Sequence, residues 1–226
     1  MTPKLLHYDR HFIAVEKPSC LPTQPTPTSD DDLLSQTVVL VRKLREREGP
    51  VYIHPIHRLD AVVSGIVLFA LSSKSLSRLN EALRNGEIER HYSAWVEGKI
   101  QETASRWEDY LYHDEFKKKA VIKAFPFEGA KRASLSFKVV PTISQTRPLT
   151  LIEIDLETGR YHQIRAQCAA HGYPILGDHY YGSRYRTQNT GIALHHSRMT
   201  FPHPITGKNI VIHSPFDESI FLTGED

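Results

Sequence analysis

Asp60 ends the tract Ile56-His57-Arg58-Leu59-Asp60, and a few residues later Ser64-Gly65-Ile66-Val67-Leu68-Phe69 leads into a run that reads as a fully buried strand. A carboxylate beside a buried strand has to be solvated or paired, because an isolated charge is costly to take into an apolar interior. The same tract supplies a cation, Arg58. A carboxylate held this way can stabilise positive charge that develops in a reaction, or act as nucleophile or base. Its plainer role is to cap a turn through its own backbone. Two further stretches carry side chains whose types can do chemistry. Tyr92 follows Arg90-His91 and offers an aromatic face with a hydroxyl able to reach a proton. Arg165 ends Thr158-Gly159-Arg160-Tyr161-His162-Gln163-Ile164-Arg165, and an arginine fork can fix a carboxylate in one orientation by paired hydrogen bonds.

Other chemistries are less well served. Thirteen histidines raise the question of a metal, with His54 and His57 three apart and His195-His196 adjacent. No H-E-x-x-H tract, paired cysteines or clustered carboxylates accompany them, so no metal site is expected. Two cysteines, Cys20 and Cys168, make no disulfide framework. No apolar run of about 18 residues is present, so no membrane span is expected. Met1 to His7 lacks the apolar core of a signal peptide, and the expected location is the cytoplasm. The net charge of +2 does not by itself announce nucleic acid, but basic clusters do allow a polyanion-facing surface. They lie at Arg42-Lys43 to Arg47, Lys117-Lys118-Lys119, Lys131-Arg132 and Arg184 to Arg186, with Tyr180-Tyr181 and Tyr185 nearby in sequence.

The elements that must position these groups are readable from pattern. Phe12-Ile13-Ala14-Val15 predicts a strand ended by Lys17-Pro18-Ser19. Pro22, Pro25 and Pro27 predict a stiff loop. Ser29-Asp30-Asp31-Asp32 predicts a helix N-terminus, with apolar residues from Leu33 to Leu44 at helical spacing and Gly49-Pro50 beyond its end. A buried strand over about 66–71 follows the Asp60 tract. Ser72 or Ser73 caps the next helix, which carries Leu76, Leu79 and Leu83 on one face and ends at Asn85-Gly86. From Glu89 to Glu97 the alternation predicts a strand with Tyr92, Ala94 and Val96 on one side. Strands are expected near 121–124, 133–140 and 150–156, a helix from His162 to His171, and two short strands after Ile192. A chain of 226 residues without repeat or linker predicts one α+β domain on a mixed, mostly antiparallel sheet.

Taken together, these motifs resemble the RluA-type pseudouridine synthases, which isomerise uridine in structured RNA. The resemblance is carried by His57-Arg58-Leu59-Asp60 with Ser64-Gly65, by Glu16-Lys17-Pro18-Ser19-Cys20-Leu21-Pro22 (with Cys20 where glycine is usual), and by Arg90-His91-Tyr92 with Val96-Glu97-Gly98. It continues through the Thr158–Arg165 stretch, Pro174-Ile175-Leu176-Gly177-Asp178 and Phe201-Pro202-His203-Pro204-Ile205-Thr206-Gly207. It spans nearly the whole chain. It implies a bent central sheet with flanking helices and a catalytic cleft, a single catalytic domain without an N-terminal S4-type RNA-binding domain, no cofactor, a monomer, and rRNA or tRNA as partner. It implies Asp60 as the catalytic carboxylate toward the sugar, Tyr92 as the active-site tyrosine, and Arg165 as the residue that pairs with the aspartate and keeps it ionised. RNA contacts are implied for His57, Arg58, Arg160, His162 and Gln163. Ala61 and Val63 depart from the family pattern, where Arg or Lys and then Thr are usual. That departure motivates one alternative, an RNA-binding or ribosome-assembly factor that keeps the fold without the chemistry.

Overall fold

Leu33, Thr37, Leu40 and Val41 fall on one face of a helical period and are buried, while Asp32 caps the segment by accepting from Ser35 N at 3.0 Å and Ser35 Oγ at 2.6 Å. This first helix sits in a computed structural model that describes residues 2–27, 29, 31–142, 147–187 and 191–217. Asp30, one of the carboxylates assigned to that helix N-terminus, lies outside them. In chain order the elements are β1 (Lys4–Tyr8), β2 (Phe12–Lys17), α1 (Leu33–Arg45), β3 (His54–Pro55), β4 (Ser64–Ala70) and α2 (Ser73–Arg84). Then come β5 (Glu89–Glu97), β6 (Ala104–Asp114), β7 (Lys119–Lys123), β8 (Lys131–Val140), β9 (Leu149–Leu156), α3 (Gln163–Ala170), a 3-10 turn His179–Tyr181, β10 (Leu194–Pro202) and β11 (Asn209–His213). No helix among the described residues is long and apolar enough to cross a membrane.

The chain divides into two compact units. The first runs to Glu89 and takes in His196–Pro215. Its strands run in the order β1-β2-β4-β10, with β11 on β10 and β3 on β4. Its core gathers Phe12, Ala14, Ile66, Leu68 and Ala70 from β2 and β4, Leu79 and Ala82 from α2, and Met199, Phe201 and Ile212 from β10 and β11. Ser72 caps α2 by accepting from Ser75 N at 3.2 Å. β4 is buried from Gly65 to Ala70, as its uninterrupted apolar run predicts. Gly65 is required there: a Cβ at this position would stand 2.4 Å from His196 O and 2.5 Å from His196 N on β10, and the residue has φ +116°.

The second unit, Arg90–His195 with Phe216 and Asp217, orders its strands β5-β9-β8-β6-β7, all antiparallel. The α+β class expected from the pattern therefore holds. Three strands escape the pattern, among them the two-residue β3. β1 is a short, half-exposed strand. β6 is eleven residues long, but its buried face reads Trp107, Asp109, Leu111, and a carboxylate in the middle breaks the apolar alternation. Asp109 is tolerated because Gln167 Nε2 donates to it at 2.7 Å and His171 Nε2 lies 3.0 Å away. β5 also differs from its expected half-burial: every residue from Tyr92 to Glu97 is buried, so both faces are covered. α3 matches its expected span to within a residue at each end. Six of its eight residues, Gln163 to Cys168, are buried, which explains the weak amphipathic signal.

Candidate active site

In the first unit the Asp60 loop is fastened by its backbone. Thr23 Oγ1 donates to Leu59 O at 2.9 Å and accepts from Leu59 N at 3.1 Å, so one hydroxyl satisfies both polar groups of the residue before the aspartate. Leu59 and Val63 are buried on either side and hold the loop to the core, and Val63 N donates to Asp60 O at 3.0 Å to close the turn. Asp60 is left half-buried between them, and Ala61 is exposed. On the other side of the loop, Leu68 N donates to His57 Nε2 at 3.3 Å, which makes Nε2 the acceptor nitrogen. The His57 ring meets His196 edge-on at 5.3 Å, and His196 Nδ1 lies 2.8 Å from Ile66 O. Arg58 is exposed. It lines, with Gln24, His54, Pro55, Ile56, His57 and Leu76, a pocket of about 390 Å³.

The fastening centres on Lys17. Its side chain is fully buried, and its Nζ donates to Leu21 O at 2.7 Å, Pro18 O at 2.9 Å and Ala61 O at 2.9 Å. Three donors meet three carbonyls, the full complement of an ammonium. Burial pushes its pKa down to about 7, a fall that electrostatic interaction with Asp60 and Cys20 opposes. One side chain thus ties the Lys-Pro-Ser-Cys turn to the residue after Asp60 and places a cation close to the carboxylate. Cys20 in that turn has φ +64°, the left-handed region in which glycine is comfortable and a side chain is strained. That is the physical sense of the glycine usual at this place in the resembled turn.

In the second unit Tyr92 projects from β5 opposite Ile154 of β9 and is 6% exposed. Arg165, in the first turn of α3, gives one edge of its guanidinium to Asp178: Nε donates to Oδ2 at 2.7 Å and Nη2 to Oδ1 at 3.0 Å. Both partners are buried, and Tyr181 lies against the guanidinium with its ring centre 5.1 Å from Cζ. Gln163 is also buried, and its amide is spent internally. Its Oε1 accepts from Thr158 Oγ1 at 2.8 Å and Arg160 N at 3.0 Å, and its Nε2 donates to Ser134 O at 3.1 Å and Gln167 Oε1 at 3.0 Å. Those bonds fold the Thr-Gly-Arg turn onto β8. Arg160 is exposed and donates from Nε to Arg132 O at 3.2 Å. His162 stands at the N-cap of α3 with φ +51°, stacks on Tyr161 at 3.8 Å, and has Nδ1 3.1 Å from Tyr181 Oη.

Asp60, His57 and Arg58 therefore belong to the first unit, and Tyr92, Arg160, His162, Gln163 and Arg165 to the second. Lys17 and Asp178 are the two polar groups that the motif reading passed over. Both lie inside quoted motifs, but only their burial distinguishes them from turn residues. Among the described residues no group of three or more His, Cys, Asp or Glu is placed to hold a metal ion.

Comparison with known proteins adds an independent line. The profile of the family described as RNA pseudouridylate synthase matches residues 11–170. The chain is 31% identical to the dual-specificity RNA pseudouridine synthase RluA of Pasteurella multocida, over 93% of this chain and 92% of that protein. It is 29% identical to the tRNA pseudouridine synthase C of Vibrio parahaemolyticus, over 96% of this chain and 91% of that one. Among solved structures, human RNA pseudouridylate synthase domain containing 1 superposes with a TM-score of 0.78 at 19% identity, covering 99% of this chain and 91% of that one, a likeness of fold.

Proposed function

The chain belongs to the RNA pseudouridylate synthase family and is an isomerase acting on RNA, and from that premise we propose that it converts a uridine in a structured loop of tRNA or rRNA to pseudouridine with Asp60 as the catalytic carboxylate. The observation that supports Asp60 is its fastening. A half-buried carboxylate on a loop held by Thr23 and by the buried ammonium of Lys17 is a preorganised charge. The reaction breaks an N-glycosidic bond, turns the uracil and joins its C5 to the same sugar carbon. No redox step is involved. Asp60 acts toward the sugar, as nucleophile or base or by stabilising positive charge. Tyr92 takes part in removing the C5 proton. Arg165, its orientation set by Asp178, is the arginine that serves the catalytic carboxylate. His57, Arg58, Arg160 and His162 belong to the RNA-binding surface, and Gln163 positions the turn that carries Arg160 and His162. The uridine must leave its stack to be reached, which costs least in a loop or bulge. Such a substrate is met in the cytoplasm.

The departures Ala61 and Val63 do not touch the proposed chemistry. Ala61 contributes its backbone carbonyl to Lys17, and Val63 is core. No observation favours a chain that binds RNA without acting on it. Tritium release from RNA labelled at uridine C5 tests the reading directly. The wild type should release it, and Asp60→Asn should lower the rate by at least about 10³ while RNA binding is kept. An Asp60→Asn protein that turns over near the wild-type rate overturns the assignment.

A further inference from the structure

The hairpin between β6 and β7 turns through Glu115-Phe116-Lys117-Lys118, and Phe116 at its tip is 96% exposed, against 62% for the next most exposed large apolar side chains among the described residues, Val39 and Phe125. A single exposed apolar residue is ordinary on a protein surface. The rigidity of the turn that presents this one is not. Tyr180 Oη donates to Lys117 O at 2.6 Å, and Tyr161 Oη donates to Lys118 O at 3.0 Å. Lys117 N donates to Asp114 Oδ1 at 2.9 Å, and Lys118 is held at φ +50°. Tyr161 is itself the middle ring of a continuous stack, with His113 at 3.9 Å and His162 at 3.8 Å. Lys119 Nζ lies 5.2 Å and 5.1 Å from the ring centres of Tyr180 and Tyr181. The turn is thereby tied to the segment that leads into α3 and to the 3-10 turn, next to the framework that holds Arg165 through Asp178 and Tyr181.

A bare phenyl ring on a fixed turn gains nothing in the free protein. It is already placed for a flat apolar partner, and little conformational freedom remains to be lost on binding. Lys117 and Lys118 on its C-terminal side are exposed, and Glu115 on the other side is exposed as well, so the ring, more than the net charge, is the specific element. Nucleobases offer the flat partner and their phosphates the anions, a pairing that recurs where unpaired bases stack on aromatic side chains beside basic residues. We propose that Phe116 stacks on an unpaired base of the RNA, away from the reacting uridine, with Lys117 and Lys118 on the adjoining phosphates. The proposal rests on the RNA isomerase reading and deepens it by assigning a second point of RNA contact.

Two substitutions at this solvent-exposed tip test it without disturbing the core. The probes are unmodified tRNA and rRNA transcripts labelled at uridine C5. Phe116→Ala should weaken RNA binding and raise KM about tenfold with kcat retained. Phe116→Trp should restore both. The native Trp95 and Trp107 are buried, so the new indole should dominate the change when RNA quenches its fluorescence. A Phe116→Ala protein that binds and turns over like the wild type overturns the contact and leaves the enzyme reading intact. Phe116→Trp fluorescence that saturating RNA leaves unchanged, while a ribosomal protein quenches it, also overturns the contact and assigns the tip to a protein partner. If RNA quenches the indole but the wild type releases no tritium from any transcript, the contact stands and the isomerase reading falls.

Discussion

Lys17 and Ala61 lie 44 residues apart in sequence, yet the Lys17 ammonium donates to the Ala61 carbonyl at 2.9 Å from a fully buried position. The bond joins the end of β2 to the residue that follows Asp60. Its two companions, to Pro18 O and Leu21 O, fix the turn between them. A lysine is seldom fully buried unless its charge is matched. Here three carbonyl oxygens and the nearby Asp60 offset part of that cost, and burial still lowers the pKa to about 7.

Lys17→Met should therefore destabilise the protein by about 3 kcal/mol at neutral pH, since the carbonyls lose their donor. It should also remove a pH dependence. The folded ammonium has its pKa lowered from 10.5 to about 7. Between those values the unfolded chain holds a proton that the folded chain has released, so Lys17 makes stability rise with pH by up to about 1.4 kcal/mol per unit. Below pH ~7 both states are protonated and the contribution is flat. Urea unfolding of both proteins from pH 6 to 10 measures the difference. A gap between wild type and Lys17→Met that does not vary with pH would show that the group is not titrating as its burial demands.

Tyr92→Phe should separate binding from chemistry. The ring stays in its place on β5, but the hydroxyl proposed to serve C5 deprotonation is gone. Product formation should slow by about 10² or more, the usual scale for a lost acid–base group, with RNA affinity close to wild type. Single-turnover tritium release alongside filter binding reads the two separately. Normal turnover in the variant would send the proton by another route.

How far the sequence discloses this arrangement depends on what each element asks of its residues. α1 and α2 carry their caps, Asp32 and Ser72, and their apolar faces in local order, so both are legible. β4 is legible as an unbroken apolar run ending in a turn. β6 is not, because Asp109 occupies a core position and its partners Gln167 and His171 come from α3 and the residue after it, about sixty residues on. At the site, the motifs mark Asp60, Tyr92 and Arg165 as chemistry-bearing types. They do not mark Lys17, which looks like an ordinary turn residue until Leu21 O and Ala61 O are brought to it. Nor do they reveal that Arg165 spends one guanidinium edge on Asp178. Pairings of that kind exist only after the chain has folded back on itself.

Asp178→Asn probes that pairing. Both side chains are almost fully buried, and the carboxylate takes a two-point contact from the Nε edge of Arg165. Removing its charge leaves a buried guanidinium short of its partner, which typically costs about 3–5 kcal/mol. Activity should fall as well, since Arg165 loses the group that sets its orientation. The expected signature is a lower urea midpoint with unchanged m-value, together with reduced kcat. Stability equal to wild type would mean that Asp178 does not support Arg165 energetically.

Gly65→Ala tests the close approach of β4 and β10. An added Cβ would lie 2.4 Å from His196 O and 2.8 Å from His196 Cα, against backbone that cannot rotate away, and φ +116° is itself strained for any L side chain. The two strands would have to part beside Ile66, whose carbonyl lies 2.8 Å from His196 Nδ1. Gly86 offers the control: it also has positive φ, +75°, but nothing lies within 4 Å of a Cβ there. Gly86→Ala should cost only the backbone term, about 1 kcal/mol. Gly65→Ala should cost at least about 3 kcal/mol, as overpacking adds to the same strain. It should also lower activity by disturbing the strand that follows the Asp60 loop. If thermal unfolding places the two variants at the same midpoint, the two backbones do not approach this closely, and the role assigned to Gly65 is wrong.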